Sequence, residues 1–356
     1  MLNKKQSVKI LFSGGGTAGS VTPLLAIADG MSDSIWIGTH KGVEKEMVEE
    51  EGIKFISIYS GKWRRYFSFL NFIDLFFIII GFFQSIFIIL KERPFASISA
   101  GGFVSVPVVW ASWVCRVPVL IHQQDAMAGL ANRLMAPCAK IITVTFEKSL
   151  KDYSNKATWL GNPIRPKFLD IKISRREALQ KIGLSDSLPA VLIMGGGTGA
   201  QKINDLVYES RESLEKFCQI IHITGKGKNT NKVDSENYRA FEFVDTFGML
   251  KAYTVADIVV TRCGMGALTE ISALGKPAIL IPMPDSHQED NAKIFEEKEA
   301  GIVLDQKKIN KEDFIVNIKS LLENKSRQES FKSKIKDVIK IAEKDEVRRV
   351  VEKLLI

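Results

Sequence analysis

Twice in this chain an apolar run empties into Gly-Gly-Gly-Thr. Val8–Phe12 precedes Gly14–Thr17, and Ala190–Met194 precedes Gly195–Thr198, 181 positions further on. A short aliphatic, β-branched run ending at glycine suits a strand buried on both faces. Glycine at the strand end lets the backbone turn sharply and approach a ligand where the next helix starts. After the first loop, Pro23, Leu24, Leu25, Ile27 and Ala28 form the apolar side of such a helix. Two restarts of this unit call for two parallel strand–helix sheets. The expected fold class is therefore α/β: two doubly wound Rossmann-like domains facing a cleft.

Further buried-strand patterns follow in both halves. The first half offers 34–38, 53–59, 96–99, 117–122 and 140–145, and the second 219–224, 241–244, 258–261 and 278–282. A chain of 356 residues can bury a core in each domain. Thr158–Pro166 reads as a strand ending in a proline-rich linker. The expected division is 1–163 and 164–340, with 341–356 a terminal helix packing back on the first domain.

The loops do not name their ligand. Both fit G-x-G-x-x-G/A, as Gly14, Gly16, Gly19 and Gly195, Gly197, Ala200. A dinucleotide site wants an acidic residue at the end of the second strand. The chain has Gly38-Thr39-His40-Lys41 and Thr224-Gly225-Lys226 there, which disfavours NAD and leaves NADP open. The plain alternative is that the glycines only allow tight turns. Glu270 has two readings as well. About a turn into the helix after Gly264 and Gly266, its carboxylate suits a ribose diol. It equally suits capping that helix.

A net charge of +8 points to an anionic partner, a phosphorylated ligand or anionic lipid. With no arginine-rich run or aromatic–basic interleaving, nucleic acid is not expected. Cys115, Cys138, Cys218 and Cys263 are scattered, so neither zinc nor a disulfide framework is indicated. The five-residue run Val8–Phe12 is too short for a signal-peptide core.

Phe67–Leu90 is the most apolar segment, flanked by Lys62, Trp63, Arg64, Arg65 and by Lys91, Arg93. Its uninterrupted part, Leu75–Leu90, is 16 residues, short of the roughly 20 a spanning helix needs. Asn71, Asp74, Gly81 and Ser85 form a narrow small or polar stripe along it. The pattern reads as a helix lying in an anionic membrane interface, with Trp63, Arg64, Arg65, Phe76 and Phe83 at the surface. A core helix between two layers and a true span are the alternatives.

Eight motifs in order resemble the MurG family of glycosyltransferases, glycosyltransferase family 28, over nearly the whole chain. They are Gly15–Ala26, Gly101–Pro107, His122–Asp125, Ala128–Asn132, Gly161–Arg165, Gly195–Ala200, Arg262–Glu270 and His287–Ala292. The resemblance implies a GT-B fold and inverting transfer of N-acetylglucosamine from UDP-GlcNAc to a polyprenyl-diphosphate-linked muramyl acceptor. That chemistry serves peptidoglycan synthesis. No cofactor or metal is implied, and the sequence has no D-x-D. A peripheral position on the cytoplasmic face of the cell membrane is expected.

The family pattern assigns the donor to the C-terminal half. Val244 would read uracil through its backbone, and Glu270 would hold the ribose hydroxyls. Arg165 and Gly197, Thr198 and Gly199 would meet the uridine diphosphate, with Met265, Gly266 and Ala267 beside it. Gln288 and Asn291 would meet the sugar. Thr17, Ala18, Gly19 and Asn132 also count among the UDP-GlcNAc positions. Gly15, Gly16, Gly101, Gly102 and Ser105 would cradle the acceptor diphosphate, and the greasy helix would hold the polyprenyl tail.

The departures sit at the chemistry. The family's loop histidine is Ser20 here, and its His-Glu-Gln-Asn is His122-Gln123-Gln124-Asp125. Serine cannot accept a proton at neutral pH. Base duty is therefore expected at Asp125 with His122 beside it, with Ser20 positioning the acceptor or bonding its diphosphate. The alternative for Asp125 is to cap a helix starting near Ala126. The same departures suit a glycolipid synthase with another acceptor, such as diacylglycerol, or a UDP-sugar-binding protein without catalysis.

Overall fold

The structure, a computed structural model, describes residues 8–31, 33–61, 70–170, 172–197, 199–228 and 234–355. It divides into two compact units, Met1–Arg165 with Lys340–Ile356, and Pro166–Ile339. In chain order, unit one has strands β1 (Lys9–Ser13), β2 (Asp33–Thr39), β3 (Lys54–Ile58), β4 (Ala96–Ser99), β5 (Val119–Gln123), β6 (Ile141–Val144) and β7 (Ala157–Trp159). Its helices are α1 (Thr22–Ala28), α2 (Glu44–Glu50), α3 (Leu70–Glu92), α4 (Ser105–Val114) and α5 (Leu130–Met135). Unit two has β8 (Ala190–Met194), β9 (Gln219–Ile223), β10 (Tyr238–Phe241), β11 (Ile258–Thr261), β12 (Ala278–Leu280) and β13 (Ile302–Val303). Its helices are α6 (Arg175–Ile182), α7 (Gln201–Leu214), α8 (Thr246–Val255), α9 (Met265–Leu274), α10 (His287–Glu297), α11 (Lys311–Glu323) and α12 (Lys325–Lys336). The chain then returns to unit one as α13 (Lys344–Leu355), where Val351 and Leu354 join the core of β1, α1 and β4.

Both sheets are parallel and doubly wound. Their strand orders are β3-β2-β1-β4-β5-β6-β7 and β10-β9-β8-β11-β12-β13. The order reverses between β1 and β4 in one sheet and between β8 and β11 in the other. At such a switch point the loops leaving the two strands part in opposite directions and open a crevice at the carboxyl edge. Ser13 pairs with Ser99, so the Gly14–Gly19 loop and the Ala100–Phe103 loop leave side by side. Met194 pairs with Thr261, so the loops at Gly195 and Arg262 do the same. The glycine loops singled out in the sequence thus occupy the ligand-binding edge of each sheet.

Helix α3 wears its amphipathicity inside out. Gly81, Ser85 and Ile89 face the protein, and a Cβ at Gly81 would run into the Tyr59 carbonyl. Ser85 is fully buried and its hydroxyl donates to the Gly81 carbonyl at 2.7 Å. Phe76, Phe83, Phe87 and Leu90 stand out, each more than 60% exposed. Only 17% of Asp74–Glu92 is buried, so the alternative of a core helix between two layers is set aside. The side chain of Asn71, and Trp63, Arg64 and Arg65, lie outside the described residues.

Candidate active site

In unit two, α9 starts at the switch point with Gly264 as its N-cap and no side chain closing its first turn. The open N–H groups of a helix start favour an anion. Met265, Gly266 and Ala267 form that turn, and Glu270 follows in the second. Position six cannot cap the start, so the capping reading of Glu270 is dropped. Its Oε2 instead accepts the Tyr253 phenol at 2.8 Å, from α8. Tyr253 is fully buried, and burial first, then the Glu270 charge, raises its pKa well above the ordinary phenol value. It therefore stays a donor that fixes the carboxylate. No spacing rule points from Glu270 back to Tyr253, and the sequence alone did not single it out.

The neighbouring loops are held by side chains expected to touch the sugar. Gln288 Oε1 accepts from the backbone N–H of Cys263 at 3.2 Å and of Met283 at 3.0 Å. Asn291 is fully buried, and its Nδ2 donates to the Cys263 carbonyl at 3.1 Å. That bond lets the side chain expected at the sugar brace the turn before α9. Arg262 is buried too, donating to the Ile281 and Pro282 carbonyls at 3.0 and 2.9 Å and to Gln306. At the other loop, Gly196 and Gly199 have positive φ, and Gly197 is exposed. Lys228 Nζ donates to the Gly199 carbonyl at 3.1 Å, bringing an unanticipated cation to this edge. Thr198 lies outside the described residues. Val244 is half-buried just before α8, whose N-cap Asp245 accepts from Gly248 N–H at 2.7 Å.

In unit one, several expected roles change. His122 is fully buried in β5, with Nδ1 2.9 Å from the Thr143 hydroxyl and Nε2 2.8 Å from Asn162 Oδ1. Burial lowers its pKa to about 4, although the Asn162 bond works the other way. A histidine without access to solvent or ligand cannot relay a substrate proton, so His122 is a structural residue and not a catalytic one. Ser20 is also buried, its hydroxyl 3.3 Å from the Gly15 and Thr17 carbonyls. It braces the loop carrying Thr17, Ala18 and Gly19.

Three of the five residues expected to cradle the acceptor diphosphate, Gly16, Gly101 and Ser105, turn polar groups into the protein. Gly16 N–H donates to Glu44 Oε2 at 3.1 Å, and Gly101 N–H to the Ser99 hydroxyl at 3.1 Å. Ser105 Oγ is buried within reach of the Ser13 and Gly101 carbonyls, at 2.9 and 2.8 Å. These groups are spent inside the protein. The glycines serve close packing: a Cβ at Gly102 would lie 2.6 Å from the Gly15 carbonyl oxygen, and one at Gly16 2.6 Å from the Phe103 ring.

Gln123 accounts for one departure from the family pattern. Its Nε2 donates to the Asp125 and Met127 carbonyls, both at 2.8 Å, and its Oε1 accepts from Tyr153 at 3.0 Å and from Asn132. An ionised glutamate could donate to neither carbonyl. Asn132 is 6% exposed and so belongs to this knot. Asp125 is half-buried on the loop that Gln123 holds. No helix starts at Ala126; α5 begins at Leu130 with Gly129 as N-cap, which removes the capping alternative for Asp125. Arg165, half-buried, ends the first segment of unit one.

Unit two repeats the buried histidine. His222 Nδ1 lies 2.9 Å from the Tyr238 hydroxyl and Nε2 3.0 Å from Asn204 Oδ1, and burial lowers its pKa to about 3. Both histidines are neutral when folded, whereas an unfolded chain protonates them near pH 6.5. Their contribution is complete above pH 6.5. It is lost on acidification toward about pH 4 for His122 and about pH 3 for His222, at about 1.4 kcal/mol per pH unit each. His222→Gln should flatten the fall in urea stability between pH 7 and pH 5. A slope as steep as that of the wild type would remove His222 from the account.

Comparison with known proteins fits this geometry. The model of the glycosyltransferase family 28 N-terminal domain matches residues 10–144, and that of the C-terminal domain residues 190–346. The chain belongs to glycosyltransferase family 28. A family member from Bacillus cereus is 40% identical over 339 residues, covering 92% of this chain and 94% of that protein. It is named UDP-N-acetylglucosamine–N-acetylmuramyl-(pentapeptide) pyrophosphoryl-undecaprenol N-acetylglucosamine transferase 2. The corresponding transferase of Clostridium tetani is 37% identical over 355 residues, 94% and 98% of the two chains. Among solved structures, MurG of Acinetobacter baumannii superposes with a TM-score of 0.70 at 22% identity, over 98% and 99% of the chains. The UDP-GlcNAc 2-epimerase of Neisseria meningitidis, bound to UDP-GlcNAc, reaches 0.72 at 14% identity, over 98% and 100%. At these identities the likeness establishes the shared two-domain fold.

Proposed function

We infer that this family 28 glycosyltransferase moves N-acetylglucosamine from UDP-GlcNAc to the muramyl 4-hydroxyl of lipid I, the undecaprenyl-diphosphate-linked MurNAc-pentapeptide, giving lipid II. The observation that carries the reading is 40% identity along 94% of a relative named for that transfer. The Tyr253–Glu270 pair beside the open α9 start supports a ribose and diphosphate in unit two. In the reaction the acceptor hydroxyl attacks the anomeric carbon as the bond to the UDP β-phosphate oxygen breaks. The hydroxyl proton passes to Asp125 and UDP leaves with the bonding pair. One displacement inverts the anomeric centre. The purified protein should transfer labelled sugar to lipid I in preference to diacylglycerol. Transfer to diacylglycerol alone would replace this reading with a glycolipid synthase, and UDP-GlcNAc binding without transfer would leave a non-catalytic one.

The protein is placed by this reading at the cytoplasmic face of the cell membrane, bound peripherally through α3. Phe76, Phe83, Phe87 and Leu90 are exposed on it, and the adjoining α4 exposes Trp113 and Val114. Lys91 and Arg93 are exposed at the end of the helix and add about 1 kcal/mol each on an anionic surface. Phe76→Asp combined with Phe83→Asp should abolish sedimentation with anionic vesicles and keep UDP binding. Wild-type protein that resists alkaline carbonate as an integral protein does would overturn the peripheral assignment.

A further inference from the structure

Glu44 opens α2 within a charge-rich stretch, yet it is 0% exposed. Its Oε2 accepts Gly16 N–H at 3.1 Å, and its Oε1 accepts Thr39 N–H at 2.8 Å and the Thr39 hydroxyl at 2.5 Å. Among the described residues no cation pairs with it. Burying a lone carboxylate costs several kcal/mol unless donors surround it. Here three donors do, two of them backbone groups, one from the loop after β1 and one from the end of β2.

The surrounding glycines are shaped to this side chain. A Cβ at Gly15 or Gly42 would fall inside the Glu44 carboxyl group, and one at Gly38 would lie 3.1 Å from its Cγ. Gly15 and Gly102 leave no room for a Cβ between them, nor do Gly16 and Phe103. The carboxylate is thus bonded to the first loop at the β1/β4 switch point, and that loop lies close against the second. Gly16, Thr39 and Gly42 also wall a cavity of about 400 Å³ that reaches Asp74 and Phe77 on α3. The carboxylate thus ties the glycine loop to a recess that opens beside the apolar helix.

We propose that Glu44 is a positioning residue for the acceptor, holding the Gly14–Gly16 loop and the adjoining recess in their binding shape. The proposal rests on the reading that unit one receives the lipid-linked acceptor. It does not make Glu44 a catalytic group, because the carboxylate is buried beneath the loop.

Glu44→Gln keeps the volume but turns a donor toward donors, so either Gly16 N–H or Thr39 loses its acceptor. The acceptor kcat/KM should fall about tenfold or more, mostly through KM, from one lost charge-assisted hydrogen bond. The UDP dissociation constant should stay at the wild-type value. Thr39→Val, which removes one donor and leaves the charge, should shift the same parameter in the same direction by less. It decides the matter if Glu44→Gln does not fold. Acceptor kinetics within twofold of wild type for the folded variants would overturn the proposal. A parallel loss of UDP affinity and thermal midpoint would also overturn it, by showing a general structural role. All values are ratios to wild type on lipid I; wild-type protein inert on lipid I would instead refute the function proposed above.

Discussion

Asp125→Asn should slow transfer by about 10²–10⁴-fold and leave UDP affinity unchanged. The substitution keeps size and hydrogen-bonding reach and removes only the ability to take a proton. Of the three polar positions at this edge, two are unavailable for the proton. His122 is sealed in the sheet and neutral, and the Ser20 hydroxyl is turned toward the carbonyls of its own loop. Asp125 is half-buried on the loop after β5, and its backbone is fixed by Gln123 Nε2. Ser149 Oγ donates to the Ala126 carbonyl at 2.9 Å and steadies the next residue. A base on a braced loop holds its geometry through the displacement, which suits a proton that becomes acidic only as the glycosidic bond forms. Single-turnover kinetics with saturating UDP-GlcNAc separates this step from product release. Near-normal turnover in Asp125→Asn would move the base to another carboxylate of unit one.

The strands and glycine loops could be read from sequence because parallel sheets demand unbroken apolar runs and their loops demand missing side chains. Ala190–Met194 and Gly195–Gly199 show both marks together. What could not be read is the direction in which a polar group faces. His122 and Ser105 look like site residues in sequence, yet burial turns each toward backbone or neighbouring strands. Glu44 lies among Lys41, Lys45, Glu46 and Glu49 and looks like part of a solvated helix face, yet it is fully buried. The small stripe of α3 was visible by its period, but that Gly81 and Ser85 face the protein and the phenylalanines do not is a tertiary fact. In each case a local pattern fixed the element, and a partner distant in sequence fixed the role.

Glu270→Ala should weaken UDP-GlcNAc binding by about 2–3 kcal/mol, the loss of two charge-assisted hydrogen bonds to the ribose hydroxyls. That corresponds to a dissociation constant roughly 30–150 times larger. The structure adds a second handle on the same interaction. A carboxylate offers about four acceptor positions, and the Tyr253 phenol occupies one of them at Oε2. Tyr253 is anchored in turn, packing edge-on against Phe168 with ring centroids 6.3 Å apart. Tyr253→Phe keeps that packing and releases the carboxylate from its tether. It should cost about 1 kcal/mol in UDP binding, because a Glu270 that has lost this bond is less well ordered before the ligand arrives. In the Glu270→Ala background the same change should cost almost nothing, since there is no carboxylate left to orient. The coupling energy from that double-mutant cycle measures positioning apart from direct contact. Calorimetry with UDP on the four folded proteins decides it. Unchanged UDP affinity in Glu270→Ala would take the ribose away from α9, and additive losses in the cycle would make Tyr253 a packing residue alone.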